Sequence, residues 1–272
     1  MMVADIANVQ AQVIIGEMLG LARTKYTLRE ICKVVQVPHL VGDVRTATTY
    51  TGSEKVPELV EADIKSQAYT KVSFDLWKNV VHLAISAEAE LKSDINVMDM
   101  QITDGAKEMA RMENSQIATE FEADATSSTG YKWQDKTNGV SDHDPIIDFE
   151  LAQEALDALG YEGKKIAMNR TQYGRLITNT HITSLLERGT VVKTGQMPVV
   201  NGLAISLDAQ ITDNLVYLID PEGTPIYLGE GPEMAVQYAS DSPKFMTGWA
   251  FAKFLEPMFV NANAARKIDC SS

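Results

Sequence analysis

The alternation of apolar and polar positions is most regular over residues 66–85, SQAYTKVSFDLWKNVVHLAI. From Ala68 the apolar side falls on every second residue, through Thr70, Val72, Phe74 and Leu76. After Trp77–Asn79 it resumes at Val81, Leu83 and Ile85. A period of two is that of a strand. At about 3.3 Å per residue the run spans roughly 65 Å. A compact globule of 272 residues is only about 50 Å across. The ribbon therefore bends sharply or leaves the body, and an arm that leaves the body finds its burial on another chain.

Helical spacing marks two other segments. Residues 5–22 carry Ile6, Val9, Val13, Ile14, Met18 and Leu21 on one side, with Asp5 as a cap, and predict an amphipathic helix. Asn96–Ala123 predicts the longest helix, with Met98, Ile102, Ala106, Met109, Ile117 and Phe121 on its stripe and Arg111, Glu113 and Glu120 off it. Its four methionines, 98, 100, 109 and 112, read as core. Between these helices, 23–43 reads as a connection with one apolar stretch, Ile31–Val37. Val44–Thr51 reads as a polar strand, and Gly52-Ser53-Glu54-Lys55 with Pro57 as a turn. Residues 44–77 thus form a hairpin with two polar sides, which cannot stabilise itself well in water.

The second half of the chain mixes elements. Thr126–Pro145 reads as an exposed polar loop, Phe149–Leu159 as a helix ended by Gly160, Lys165–Met168 as a buried strand, Thr171–Thr178 as a helix and Ile182–Arg188 as a short helical turn. Asn201-Gly202 signals a hairpin before Leu203, Ile205 and Leu207. Leu215–Ile219 and Ile226–Leu228 are strands, Gly229-Glu230-Gly231-Pro232 turns the chain into Met234, Val236 and Tyr238, and Thr247–Leu255 is a strand before Pro257. The fold class is α+β.

Composition narrows the chemistry. An apolar content of 45% supports a core, and a net charge of −13 disfavours a basic groove for a phosphate backbone. Cys32 and Cys270 give neither a metal spacing nor a disulfide framework and suit a reducing site of synthesis. No apolar run reaches the ~20 residues of a membrane span, and no secretion signal is read. Of His39, His82, His143 and His181, only His143 sits in a local cluster, Asp142-His143-Asp144, whose expected role is a polar loop and not a metal site. Gly229-Glu230-Gly231 does not continue into a dinucleotide fingerprint. No P-loop, nucleophile elbow or zinc-protease motif is present. No catalytic residue, cofactor or metal is assigned.

Four segments, in order, resemble one family. Residues 71–96 run through Ile85-Ser86-Ala87-Glu88 into the long helix. KKIAMNRTQYGRLIT gives a strand, an Asn and a helix. TGQMPVVNGLAISLDAQI carries Gly195, Pro198 and Val199 at a strand start. FMTGWAFAKFLEPMFV is a returning strand near the chain's end. In this order they resemble the Hong Kong 97-type major capsid protein of tailed bacteriophages and archaeal tailed viruses, a fold that encapsulin shells share.

The resemblance implies an N-terminal arm at 1–43 and an extended loop at 44–77. It implies a peripheral domain at 78–125 and 240–270 with spine helix 96–123, and a mixed α/β axial domain at 126–239 whose tips meet at five- and six-fold positions. It implies pentamers and hexamers of an icosahedral shell around double-stranded DNA, without sequence-specific binding and without a membrane. A separate scaffolding protein, a portal and a decoration protein are the further partners. Contact between subunits falls to Lys55, Lys65, Lys71 and Tyr69 of the extended loop. Some relatives crosslink a loop lysine to an asparagine; these lysines are read as solvated. The expected location is the virion, after synthesis in the host cytoplasm. The alternatives are an encapsulin-type shell around an enzyme cargo, with 5–22 docking its targeting peptide, and a small metal enzyme using Asp142, His143 and Asp144.

Overall fold

The computed structural model describes residues 13–22, 25–47, 69–86, 88, 97–130, 133, 143–179, 181–182, 199–200, 202–232, 235–241 and 246–271. Among these, the strands make a five-stranded sheet, a six-stranded sheet and a two-stranded ribbon. The five-stranded sheet is built on β12 (Met246–Phe259). One edge of β12 pairs antiparallel with β10 (Ile226–Glu230) and then β11 (Ala235–Asp241), set end to end, and the other edge with β4 (Trp77–Ser86). β1 (Lys33–Gln36) adds parallel to β10. The six-stranded sheet has the order β5 (Thr126–Thr129), β13 (Ala265–Asp269), β9 (Leu215–Ile219), β6 (Lys165–Met168), β8 (Leu203–Leu207), β7 (Val199–Val200). The ribbon is β2 (Val41–Ala47) antiparallel to β3 (Tyr69–Asp75).

Helix α1, residues 13–22, buries Ile14, Met18 and Ala22 and leaves Val13 and Leu21 exposed, so the stripe is one position away from part of that expected. Helix α2 (Val97–Asp124) has 28 residues and is about 42 Å long. It packs on β4 and β12 through Ile102, Met109 and Phe251, with Ile14 and Met18 of α1 closing the cluster. Met100, expected in the core, is exposed. Gly105 weakens a helix in isolation, but a Cβ there would meet Leu83 Cδ2 at 2.9 Å, so the glycine lets β4 lie close. The C-terminal half of α2 fills the space between the sheets, where Ile117 and Phe121 meet Leu28, Ile31, Tyr217 and Leu228.

The outer face of the six-stranded sheet carries α3 (Pro145–Asp157) and α4 (Arg170–Thr178), joined over Phe149, Leu156, Ile166, Leu176 and Leu218. α3 starts four residues before the expected Phe149. Asp144 accepts the Ile146 N–H at 3.0 Å and Pro145 takes the first turn, a start signal legible in the sequence. Asn169 caps α4 in the same way.

Several expectations are corrected. The loop after residue 125 is not exposed throughout: β5 pairs with β13, and buried Trp133 stacks edge-on against Phe149 at 5.3 Å and donates to Asp148 at 2.8 Å. Gly229 is inside β10, not in a turn. β12 runs through Pro257, because β4 begins opposite Leu255 and beyond it that edge asks for no N–H. β13 was not anticipated. β10 and most of β11, from 126–239, share a sheet with β4 and β12, and β13, from 240–270, shares one with β5 and β9. Residues 183–190, most of the expected turn at Ile182–Arg188, lie outside the described residues.

A buried charge cluster ties the N-terminal segment to this body. Glu113, expected off the stripe, is fully buried on it, between Met109 and Ile117. Lys253, between Phe251 and Leu255 on β12, donates to Glu113 Oε2 at 2.7 Å and to the Tyr26 hydroxyl at 3.2 Å, and lies 3.2 Å from Glu230. Arg29 donates to both Glu113 oxygens, at 3.1 and 3.2 Å, and to Glu230 at 2.7 Å. Two cations thus face two carboxylates, with the Tyr26 ring 4.8 Å under Lys253. Burial pushes the Lys253 ammonium down, but Glu113, Tyr26 and Glu230 together outweigh it and hold it above the usual lysine range. Burial likewise pushes the Glu230 carboxyl up, and the Arg29 hydrogen bond with the Lys253 and Arg29 charges brings it below the usual range.

Three outcomes follow from the packing. Gly229→Ala places a Cβ 2.6 Å from Phe74 Cδ1 and is expected to destabilise the unassembled subunit by about 1–3 kcal/mol in urea unfolding. Glu113→Ala leaves Lys253 buried without its nearest carboxylate and is expected to cost about 3–5 kcal/mol, while Glu113→Leu with Lys253→Met costs less than the sum of the singles. The lowered Glu230 carboxyl contributes stability that is present above the unfolded glutamate value of about 4.3. That stability is lost as the pH falls through its folded value, so the urea midpoint is expected to drop below about pH 4, and by less in Glu230→Gln.

Candidate assembly interface

The period-two run folds as two strands in two different sheets. β3 pairs with β2, whereas β4 pairs with β12. The junction is Leu76, whose N–H is given to the Leu40 carbonyl at 2.8 Å. Before it, the buried residues are even-numbered, Val72, Phe74 and Leu76; after it they are odd-numbered, Asn79, Val81 and Leu83. The one-residue change of phase sends the two halves to opposite faces of the five-stranded sheet. β4 turns its buried side to α2, while Phe74 and Leu76 pack on the other face against Gly229, Gly231 and Tyr227.

The root of the ribbon is therefore buried on its own chain, which corrects the expectation of a hairpin polar on both sides. Val37, Val72, Phe74, Leu76 and Tyr227 form its cluster, with Val44 beside them. Gly229 and Gly231 are needed for this approach: a Cβ at the first would strike Phe74 at 2.6 Å and at the second Leu76 at 2.9 Å. Away from the root the burial stops. Tyr69, Thr70 and Lys71 are all exposed, so neither face of the ribbon is covered there.

Of the residues assigned to contact between subunits, Tyr69 and Lys71 lie on the same, outward face of β3. Lys71 pairs with Asp43 at 2.8 Å across the ribbon, and Ser73 donates to the same carboxylate at 2.8 Å. The Lys71 and Ser73 hydrogen bonds hold the Asp43 carboxyl below its usual range. Lys55, Lys65 and the expected turn at 52–57 lie outside the described residues. Of the four residues assigned to the contact, Tyr69 and Lys71 are described, two positions apart on one face of β3.

The other candidates have structural roles. Asp144 is a helix cap, and His143 Nε2 lies 3.0 Å from Asp148. Asp142 lies outside the described residues. Among the described residues no group of three His, Cys, Asp or Glu side chains is placed to hold a metal ion, and no helix is long and apolar enough to cross a membrane. Cys32 and Cys270 are free thiols whose burial pushes both upward. Sequence reasoning missed Arg29, Glu113, Glu230 and Lys253. The available signal was periodicity: Glu113 is four residues from both Met109 and Ile117, and Lys253 falls in the same period-two phase as Phe251 and Leu255.

The shape is shared with shells. The capsid of a native GTA particle superposes with a TM-score of 0.68 at 15% identity, over 91% of each chain. The capsid of the cyanophage P-SCSP1u gives 0.69 at 12% identity, over 90% of this chain and 88% of that one. A virus-like particle from Pyrococcus furiosus gives 0.63 at 11% identity, over 95% and 98%. No curated protein matches the sequence. The architecture is the Hong Kong 97-type capsid fold. The phage capsid protein family model matches residues 83–259, from the middle of β4 to the end of β12, and the chain belongs to that family, as a structural subunit of a capsid shell.

Proposed function

We propose that copies of this chain close, as pentamers and hexamers, into an icosahedral head around the double-stranded DNA of a tailed virus or prophage. The observation that carries this reading is the ribbon: a root locked by Phe74 and Leu76 under two glycines, and an outer part with both faces exposed. A strand pair uncovered on both faces is marginal in water, and a neighbouring copy supplies the missing cover. Tyr69 and Lys71, with Lys55 and Lys65 farther along the loop, make that contact. Each contact can be weak, because linked contacts multiply in effect.

In this reading residues 1–43 are the arm, 44–77 the extended loop, 78–125 with 240–270 the peripheral domain and 126–239 the axial domain, with the strand exchanges described above. The net charge of −13 suits an inner wall that does not adhere to packed DNA. The role is structural and needs no catalytic residue or cofactor. A separate scaffolding protein, a portal and a decoration protein are its partners, and synthesis is in the host cytoplasm. The family match favours this over an enzyme compartment.

Deleting residues 52–62 tests the reading. The shortened chain is expected to keep the circular dichroism spectrum and urea midpoint of the full-length subunit and to give few closed particles by negative-stain electron microscopy. Shells at full-length yield and diameter from the deletion would refute it.

A further inference from the structure

A groove of about 210 Å³ opens at the edge of the five-stranded sheet where β4 begins, between Trp77, the last turns of α2 and the Glu256-Pro257 stretch of β12. Trp77 is 67% exposed, an unusual state for the first residue of a strand that is otherwise buried toward α2. Glu120 and Glu256 flank it. Glu256 accepts the Asp75 N–H, and Glu120 that of Phe259. Burial, then the neighbouring Asp124 and Glu256, push the Glu120 carboxyl up; burial, then Asp75, push Glu256 up. Four carboxylates, Asp75, Glu120, Asp124 and Glu256, thus crowd one edge, and no ion pair joins any of them to a cation among the described residues.

An exposed indole face beside repelling carboxylates fits one side chain best. A guanidinium stacks on the ring and donates to two carboxylates from one plane. The ribbon presents such a group. Arg45 of β2 is exposed, on the outward face opposite Lys71; Asp43 is taken by Lys71, and Arg45 has no ion-pair partner among the described residues. It cannot enter the groove of its own chain. Val41 is the β2 residue beside Asp75, and Arg45 lies about 13 Å farther out along the strand, on a ribbon that leaves by the face opposite α2.

We propose that the Trp77 groove receives Arg45 from the ribbon of a second copy. The contact is heterologous, ribbon of one copy to edge of the next, and therefore repeats around a ring instead of ending in a dimer. It deepens the shell reading, on which it rests, by naming where the ribbon lands.

Charge exchange tests it. Arg45→Glu is a surface change and is expected to keep the urea midpoint of the subunit; Glu256→Lys also removes the acceptor of the Asp75 N–H and is expected to lower it, so shell yields are compared at equal concentrations of folded subunit. Each alone is expected to lower shell yield by about tenfold or more, scored by sedimentation and negative-stain microscopy, and the double variant to recover most of the wild-type yield. In wild-type shells, Trp77 fluorescence, isolated as the difference from Trp77→Phe, is expected to be shielded from acrylamide relative to the free subunit. Full assembly of Arg45→Glu, or loss in both singles without recovery in the double, would overturn the contact. Absence of wild-type shells would instead count against the shell reading itself.

Discussion

The salt-bridged pair of Glu113 and Lys253 is the constraint on which the rest of the molecule turns. It sits where four separate parts of the chain meet: the segment holding Tyr26 and Arg29, the middle of α2, the end of β10 and the middle of β12. Two cations and two carboxylates leave the site neutral, and every shift that burial imposes on Lys253 and Glu230 is outweighed by a partner. Such a cluster gives little net stability compared with an apolar core of the same volume. Its effect is positional. Any slide of α2 along the sheet, or of the N-terminal segment along either, would strand a charge in the interior, so the three layers have one register. Asn114 extends the same logic, donating to the Lys25 carbonyl and the Thr27 hydroxyl.

With α2 fixed on one face of the sheet, the opposite face is free for the ribbon root. The chain reaches that face by a single device, the change of phase at Leu76. Its consequence is geometric: β3 must cross over Gly229 and Gly231, and the two absent side chains set how closely and at what place it crosses. The exit of the ribbon is thereby a property of the body. A loosely hinged arm would spread over many directions and lose the entropy of all of them on docking; one seated on Phe74 and Leu76 has lost most of that freedom before it meets a neighbour.

Much of this was legible in the sequence, and the failures share a cause. Period two found β3 and β4, and even the resumption of phase at Val81, because each strand has one buried face. Helical spacing found α2, and Asn201-Gly202 pointed to the hairpin of β7 and β8, because these signals are local. What was missed needed a neighbour distant in sequence. Gly229 reads as a turn residue until Phe74 is placed over it. Pro257 reads as a strand end until β4 is seen to start opposite Leu255. β13, with Arg266 and Lys267 between Ala265 and Ile268, looks too polar for an inner strand, yet Lys267 reaches the Glu122 carbonyl and Arg266 the Ala155 carbonyl. Glu113 was assigned to the surface by its charge, although its position in the helical repeat was a core position. Residue type outweighed periodicity in that reading, and periodicity was right.

The same comparison explains why the outward part of the ribbon was the easiest feature to recognise and the hardest to complete. Its pattern is regular because it is a strand, but past Val72 the described side chains of β3, Tyr69, Thr70 and Lys71, are exposed on both faces. Arg45 lies beyond reach of the acidic edge that suits it, and that edge, crowded with carboxylates around an exposed tryptophan, meets no cation among the described residues. A chain carrying both halves of a contact that it cannot make with itself can satisfy both at once only in a closed arrangement of copies. The rigidity imposed at Glu113 then matters at long range: an exit direction fixed within each subunit is repeated at every step, and a repeated fixed angle is what allows a chain of weak contacts to close.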